Sequence, residues 1–495
     1  MRRSLPLLAA ALLALPACDT SEHLAPEPNT APALSQHVRS GDVEVWRTRP
    51  DKSELLAYAP TGARLYPVRN VNNAAVIDVD PSQRFQPIVG FGAAVTGSSA
   101  YVMAEHLPAY KRRDLLRELF DPEVGIGLSF ARVTLGASDF SLSDYTYNDV
   151  PSGQEDRDLS EFSIDPDREH VLPVLQQIAG ISSDVSFIGS PWSAPAWMKT
   201  NGELNGGSKD NPGRLKWSNH GVYAEYLART VEAFEAEGIP FKAITVQNEP
   251  GHRTLSYPSM VMNADQQAVF LGDYVGPLFE QRGLDTEIIA FDHNWDNFNY
   301  PQKVFANAKA NRYTDGSAFH CYGGDVSSMG QVYANHPDKA LYFTECSGGR
   351  WATDFGSNLS WNMRNIIIGT TRNGSRSALL WNLALDQSDG PTNGGCSNCR
   401  GVVTVNSQTG DVTRNVEYYV LGHAAKAVRP GAVRIGSTDL SGLRIHNVAF
   451  QNTDGSRVMI VLNDTNSWKK VQVRVDGRAF HYGVPAGTAV TFRWQ

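Results

Sequence analysis

Eight short apolar runs, most of them separated by a stretch in which apolar residues recur every three or four positions, constrain this chain more than any other feature. The runs are IVGFGAAVT (88–96), LSFARVTLG (128–136), VSFIGSPW (185–192), KAITVQNE (242–249), TEIIAFDHN (286–294), AFHCYGG (318–324), ALYFTECS (340–347) and SALLWNLAL (377–385). Helical patterns such as HVLPVLQQIAG (170–180) and YAEYLARTVEAFEAEG (223–238) lie between them. Eight strand–helix units in succession predict an α/β fold, a (β/α)8 TIM barrel rather than an open sheet. A last helix near 416–428 is expected to close it.

After Pro430 the pattern changes. Short alternating runs (LRIHNVAF, RVMIVLN, KKVQVRV, TAVTFRW) are separated by Gly, Asn and Asp turns and predict an attached antiparallel β-sandwich. The segment VEVWRTR (43–49) reads as a strand added to that sandwich from the other end of the chain. The expected layout is therefore N-terminal strands joining the sandwich at 41–80, the catalytic barrel at 81–430 and the sandwich proper at 431–495.

Ahead of these lies a leader. Arg2 and Arg3 precede the apolar run Leu5–Leu15, which is too short to span a bilayer. It closes in Leu15-Pro16-Ala17-Cys18, which resembles a bacterial lipobox, so 1–17 reads as a lipoprotein-type signal peptide with lipidation at Cys18; plain secretion is the alternative. Residues 18–40, polar and rich in Pro and Ala, read as a flexible tether. The expected location is outside the cytoplasm, lipid-anchored at the outer membrane or cell surface, or secreted. Asp19 leaves the choice between inner and outer membrane open.

The net charge of −8, from 44 basic and 52 acidic residues, argues against a nucleic-acid partner. Five cysteines are too few for a disulfide scaffold. Cys396 and Cys399, in GGCSNCRG, read as a local disulfide, since no further zinc ligands stand nearby. Cys321 and Cys346 read as buried thiols, with a bridge between them as the alternative.

In a barrel of this kind the active site lies at the C-terminal ends of the strands, and here those ends are polar. The second strand leads to Arg132 and Asp139, the third to Trp192, the fourth to Asn248 and Glu249, and the fifth to Asp292 and His293. The sixth carries His320 and Tyr322, the seventh Glu345, the eighth Trp381 and Asn382. A single acid at a strand end is ordinarily a cap or a loop residue. Two glutamates on opposite sides of one barrel suit glycoside hydrolysis, where one carboxyl protonates the leaving oxygen and the other stabilises the anomeric carbon. Glu249 is the better acid/base, its proton held by burial and a neighbouring carboxylate. Glu345 is the better nucleophile, ionised and oriented by groups such as Tyr322, and Asn248 is placed to bond a sugar 2-hydroxyl.

The stretches GFGAAVTG, ARVTLGASDFSLSDYTY, GSPWSAPAWMKTNGELNGG, VQNEP, FHCYGG, FTECSGG and WNLALD follow one another from about Gly90 onward. In that order they resemble glycoside hydrolase family 30, the family of glucosylceramidases and β-1,6-glucanases. The resemblance implies a barrel with a sandwich built from both chain ends, and a retaining mechanism with Glu249 as acid/base and Glu345 as nucleophile. It places Arg132, Asp139, Trp192, Asn248, His320, Tyr322 and Trp381 around the sugar at the cleavage point. YPSM (257–260) after QNEP, and the GGCSNCRG loop, resemble the endo-β-1,6-glucanase subgroup, which implies β-1,6-glucan of fungal cell walls as substrate.

The alternatives are a glucosylceramidase or β-glucosidase of the same family, or a non-catalytic glucan-binding lipoprotein. No metal or cofactor is expected: GFGAA lacks the third glycine of a dinucleotide loop, His293 and His320 lack metal-pair spacing, and no G-x-S-x-G elbow occurs. Trp295, Trp351 and Trp361, which follow strand ends, read either as stacking platforms for further sugars or as ordinary packing. The sequence does not address oligomeric state.

Overall fold

The computed structural model describes residues 41–495; the leader, Cys18 and the whole 18–40 tether lie outside them. Eight parallel strands form the barrel: Gly90–Val95, Phe130–Leu135, Ser186–Pro191, Phe241–Thr245, Glu287–Asn294, Gly316–His320, Ala340–Glu345 and Ser377–Asn382. The last pairs with the first, and a bridge from Leu341 to Ser375 joins the seventh to the eighth.

Period-2 alternation decides what the barrel interior holds. Phe130, Ile188, Ala243, Ile289, Ala318, Tyr342 and Leu379 form its apolar filling. Two residues further along, the inward positions become Arg132, Ser190, Thr245, His320, Thr344 and Trp381. The core is thus apolar below and polar at the C-terminal rim. The fifth strand breaks the rule. Phe291 and Asp292 both take positive φ (72° and 68°), and the pairing to the sixth strand skips one residue there. This bulge sends Phe291 into the outer helix-packed core and turns Asp292 inward.

The sandwich takes strands from both chain ends. Asp42–Thr48 pairs with Ala489–Trp494, and the long strand Ala74–Pro87 pairs with Val433–Ser437 and Lys469–Val475. That long strand carries the sandwich past residue 80 to Pro87. One face of the sandwich has its own core, including Val45, Ile77, Met459, Phe480 and Trp494. The other, through Trp46, Phe450 and Leu462, merges with the core around the barrel helices. Helix Val416–Ala425 sits at this seam, where His423 bridges Thr491 and Thr48 at 2.9 Å each.

Cys321 and Cys346 are joined by a disulfide. Read as thiols from the sequence, they are brought together because the sixth and seventh strands run side by side and each cysteine directly follows a strand end, His320 or Glu345. Cys396 and Cys399 are also bridged.

Candidate active site

Arg132 and Asp292 form the centre of the rim, both without exposed surface. Asp292 accepts from Arg132 Nη2 at 2.7 Å, Ser190 Oγ and Thr245 Oγ1 at 2.8 Å, Thr344 Oγ1 at 2.7 Å and His320 Nε2 at 3.0 Å. Burial opposes its charge, but Arg132 and His320 hold its carboxyl well below the usual range. Arg132 passes the arrangement outward, donating to Asn248 Oδ1 at 2.7 Å and, through Nη1, to Glu345 Oε2.

Glu249 and Glu345 face each other across this centre. An oxygen of each and a ring nitrogen of His320 lie within 4.8 Å of one another. That set has metal-ligand types, yet both His320 nitrogens are committed, Nδ1 to Glu249 Oε1 at 2.9 Å and Nε2 to Asp292. Glu345 accepts from Tyr322 Oη at 2.9 Å as well as from Arg132. Glu249 sits at φ 43°, a left-handed conformation that costs a β-carbon residue about 1–2 kcal/mol, and its N–H donates to Asp292 O at 3.0 Å.

The ionisation pattern reverses the expectation for Glu249. Burial favours its neutral form, but the hydrogen bond and charge of His320, with His293 and His252 beyond, carry its pKa below the ordinary value. Burial raises Glu345, reinforced by the charge of Glu249 and opposed by His320 and Arg132. His320 loses stability as a cation through burial, yet Glu345, Asp292 and Glu249 lift it to about 9. The reason is positional: the cation touches Glu249 directly. The two carboxyls titrate as a pair, and a bound glycoside changes their balance. A glycosidic oxygen presents lone pairs to Glu249 and rewards its protonated form, whereas positive charge developing at the anomeric carbon rewards ionised Glu345.

Trp192 and Trp381 stack at 5.2 Å and 22°, with Arg132 4.9 Å from the Trp192 ring and Phe140 edge-on to Trp381. Cys399, Tyr257 and Cys396 pack around this pair, so the bridged loop forms part of the site wall. Two glycines let it approach. A β-carbon on Gly395 would meet Asp139 at 2.7 Å, and one on Gly394, at φ +73°, would meet Ser256 O at 2.2 Å. Asp139 is pushed well above the usual carboxylate range by burial and the charges of Glu345 and Glu249. It can therefore offer a sugar hydroxyl both a donor and an acceptor.

The two catalytic glutamates and the seven residues expected around the sugar thus lie at one end of the barrel. The bulged Asp292 was visible as a strand-end acid, but its central position was not. Of the three tryptophans, Trp295 is packed on Phe343 in the core and offers no platform. Trp351 is exposed beside Gly349 on the loop after Glu345, and Trp361 is exposed on an outer helix.

Residues 88–428 match the glycosyl hydrolase family 30 TIM-barrel domain, and residues 431–492 match the family's beta sandwich domain. An endo-1,6-beta-D-glucanase of Aspergillus fumigatus is 33% identical over 440 residues, which cover 84% of this chain and 86% of the relative. The lysosomal acid glucosylceramidase of Mus musculus is 27% identical over 447 residues, covering 85% and 83%. A solved endo-β1,6-glucanase superposes with a TM-score of 0.83 at 33% identity, covering 92% of this chain and 99% of its own.

Proposed function

The chain belongs to glycosyl hydrolase family 30, and from that membership we propose that its barrel mouth cleaves internal β-1,6-glucosidic bonds of a glucan through Glu249 and Glu345. It is a retaining glycoside hydrolase. The observation that carries the residue assignment is the approach of the two carboxyls to within 4.8 Å. Direct attack by a carboxylate needs the pair about 5–5.5 Å apart, whereas water-mediated inversion needs about 6.5–9.5 Å.

In the first step a Glu345 oxygen bonds to the anomeric carbon while Glu249 gives its proton to the departing glycosidic oxygen. Arg132 and Tyr322, each bonded to one Glu345 oxygen, aim the nucleophile. In the second step Glu249 takes a proton from water, the water oxygen bonds to the anomeric carbon, and the Glu345 ester breaks. Asn248, fixed by Arg132, is placed to bond the 2-hydroxyl as charge develops. Trp192 and Trp381 supply an apolar wall, and Asp139 a hydroxyl partner.

The test is the product profile on pustulan, beside laminarin and glucosylceramide. Early mixed gentio-oligosaccharides from pustulan alone are expected; glucose released only from glucosylceramide overturns the glucan assignment. The family's retaining chemistry also predicts β-configured first products by proton NMR.

The substrate reading accords with export. A lipid at Cys18 would hold the barrel at the cell surface on the 18–40 tether, where it meets fungal walls. Cys18→Ser is expected to move the protein from the membrane to the soluble fraction. Unchanged fractionation removes the anchor from this reading.

A further inference from the structure

A second cleft, away from the catalytic mouth, lies between the outer wall of the barrel and the sandwich. One side is helix Phe355–Asn362, which follows the strand carrying Glu345. The other is the pair of sandwich turns holding Thr465, Asn466 and Ala486. Its volume is about 590 Å³, within the range of small-ligand sites.

The cleft is built rather than left over. At its floor Pro50 is clasped by two glycines: a β-carbon on Gly356 would come within 2.7 Å of Pro50 Cβ, and one on Gly487, at φ +62°, within 3.1 Å of Pro50 Cγ. The sandwich wall is fixed from within. Asn463 Nδ2 donates to Ser467 O, Val484 O and Pro485 O, all at 2.9 Å. Asp464 ties the two walls together, 2.6 Å from Arg364 on the barrel and 3.5 Å from Arg444 on the sandwich.

Against this frame stands Trp361. It is 38% exposed, and among the described residues it joins no hydrophobic cluster and stacks on no other ring. Ser360 beside it and Asn466 opposite have side chains with no hydrogen-bond partner among the described residues. The two arginines are balanced by two carboxylates of the lining, Asp464 and Asp354, so the cleft holds no surplus positive charge to draw a phosphate or another anion. What remains is a flat apolar face flanked by neutral amide and hydroxyl groups, the combination that receives a pyranose ring: C–H face on indole, hydroxyls to the sides. Trp192, Trp381 and Asn248 repeat these residue classes at the catalytic mouth.

We propose that this cleft is a second, non-catalytic glucan-binding site, with Trp361 as its stacking platform and Ser360 and Asn466 as hydroxyl partners. It takes a neutral β-linked glucose chain and tethers the enzyme to polymer, raising the local concentration of cleavable bonds. The choice of β-1,6-glucan as ligand rests on the function proposed above; the site itself does not.

The experiment separates the two. In a Glu345→Gln background, retention is measured by affinity electrophoresis in gels containing pustulan, laminarin or hydroxyethylcellulose, all uncharged, with and without Trp361→Ala or Asn466→Ala. Trp361→Ala is expected to weaken retention about tenfold in one of these gels, while Trp361→Ala alone leaves kcat/KM on an aryl β-gentiobioside within about twofold, that substrate being too short to reach the cleft. A loss confined to laminarin keeps the site and removes the β-1,6-glucan assignment. Unchanged retention by both variants in all three gels, or no retention of the Glu345→Gln protein in any, overturns the proposal.

Discussion

Arg132 Nη2 and Asp292 Oδ2 lie 2.7 Å apart with no exposed surface on either side chain, and the catalytic pair is assembled outward from that contact. Arg132 reaches Glu345 on one side, and Asp292 reaches Glu249 through His320 on the other. Asp292→Asn leaves the volume unchanged but strips the charge that compensates two buried cations. Breaking one partner of a buried pair costs about 3–5 kcal/mol, and a loss of that size is expected in urea unfolding together with loss of glycosidase activity. A variant as stable as the wild type would show that Asp292 is not the electrostatic centre of the rim.

His320→Gln tests the proton balance. Activity needs Glu345 ionised and Glu249 protonated, and the two limbs of kcat/KM report the two pKa values of the pair rather than one residue each. His320 depresses both carboxyls. Removing its charge raises both, so the whole bell is expected to move to higher pH, with a lower maximum because Glu249 loses its charged hydrogen-bond donor. The pH profile on a soluble aryl glucoside decides; a profile that only shrinks, with both limbs in place, would contradict the assigned role of His320.

Glu249→Ala separates acid from nucleophile. Without a proton donor, cleavage of a glucan bond should slow by about 10²–10⁴. A dinitrophenyl glucoside, whose leaving group needs no proton, should still form the glycosyl-enzyme, and added azide should accelerate its turnover to a β-glucosyl azide. Equal loss on both substrates, without azide rescue, would assign Glu249 another role.

The barrel was legible because parallel strands buried on both faces appear as short unbroken apolar runs, and the period-2 rule places Arg132, His320 and Trp381 inward above Phe130, Ala318 and Leu379. The same rule explains what was hidden. On the fifth strand it puts Phe291 inward, and only the left-handed backbone at Phe291 and Asp292 exchanges the two. A bulge formed by non-glycine residues leaves no compositional mark. The Cys321–Cys346 bridge depends on which strands are neighbours, which spacing along the chain does not report. The lowered pKa of Glu249 escaped for a similar reason: burial and a second carboxylate were foreseeable, but a cation 2.9 Å away is a three-dimensional fact.

The seam between barrel and sandwich makes a prediction independent of catalysis. His423 is fully buried between the hydroxyls of Thr491 and Thr48, and burial lowers its pKa from 6.5 to about 3. In the unfolded chain the ring takes up a proton below about pH 6.5, whereas in the fold it stays neutral until about pH 3. The unfolded state therefore binds more protons throughout that window, and the protein loses stability as pH falls through it. From this group alone the loss between pH 7.5 and 5 is roughly 2 kcal/mol. His423→Gln retains an amide able to reach both threonines but cannot titrate, so its stability should fall by roughly that much less over the same interval. Urea unfolding of both proteins at the two pH values measures the difference directly. Identical pH dependence would mean that His423 does not titrate differently on unfolding, and that the seam is held by its apolar contacts alone.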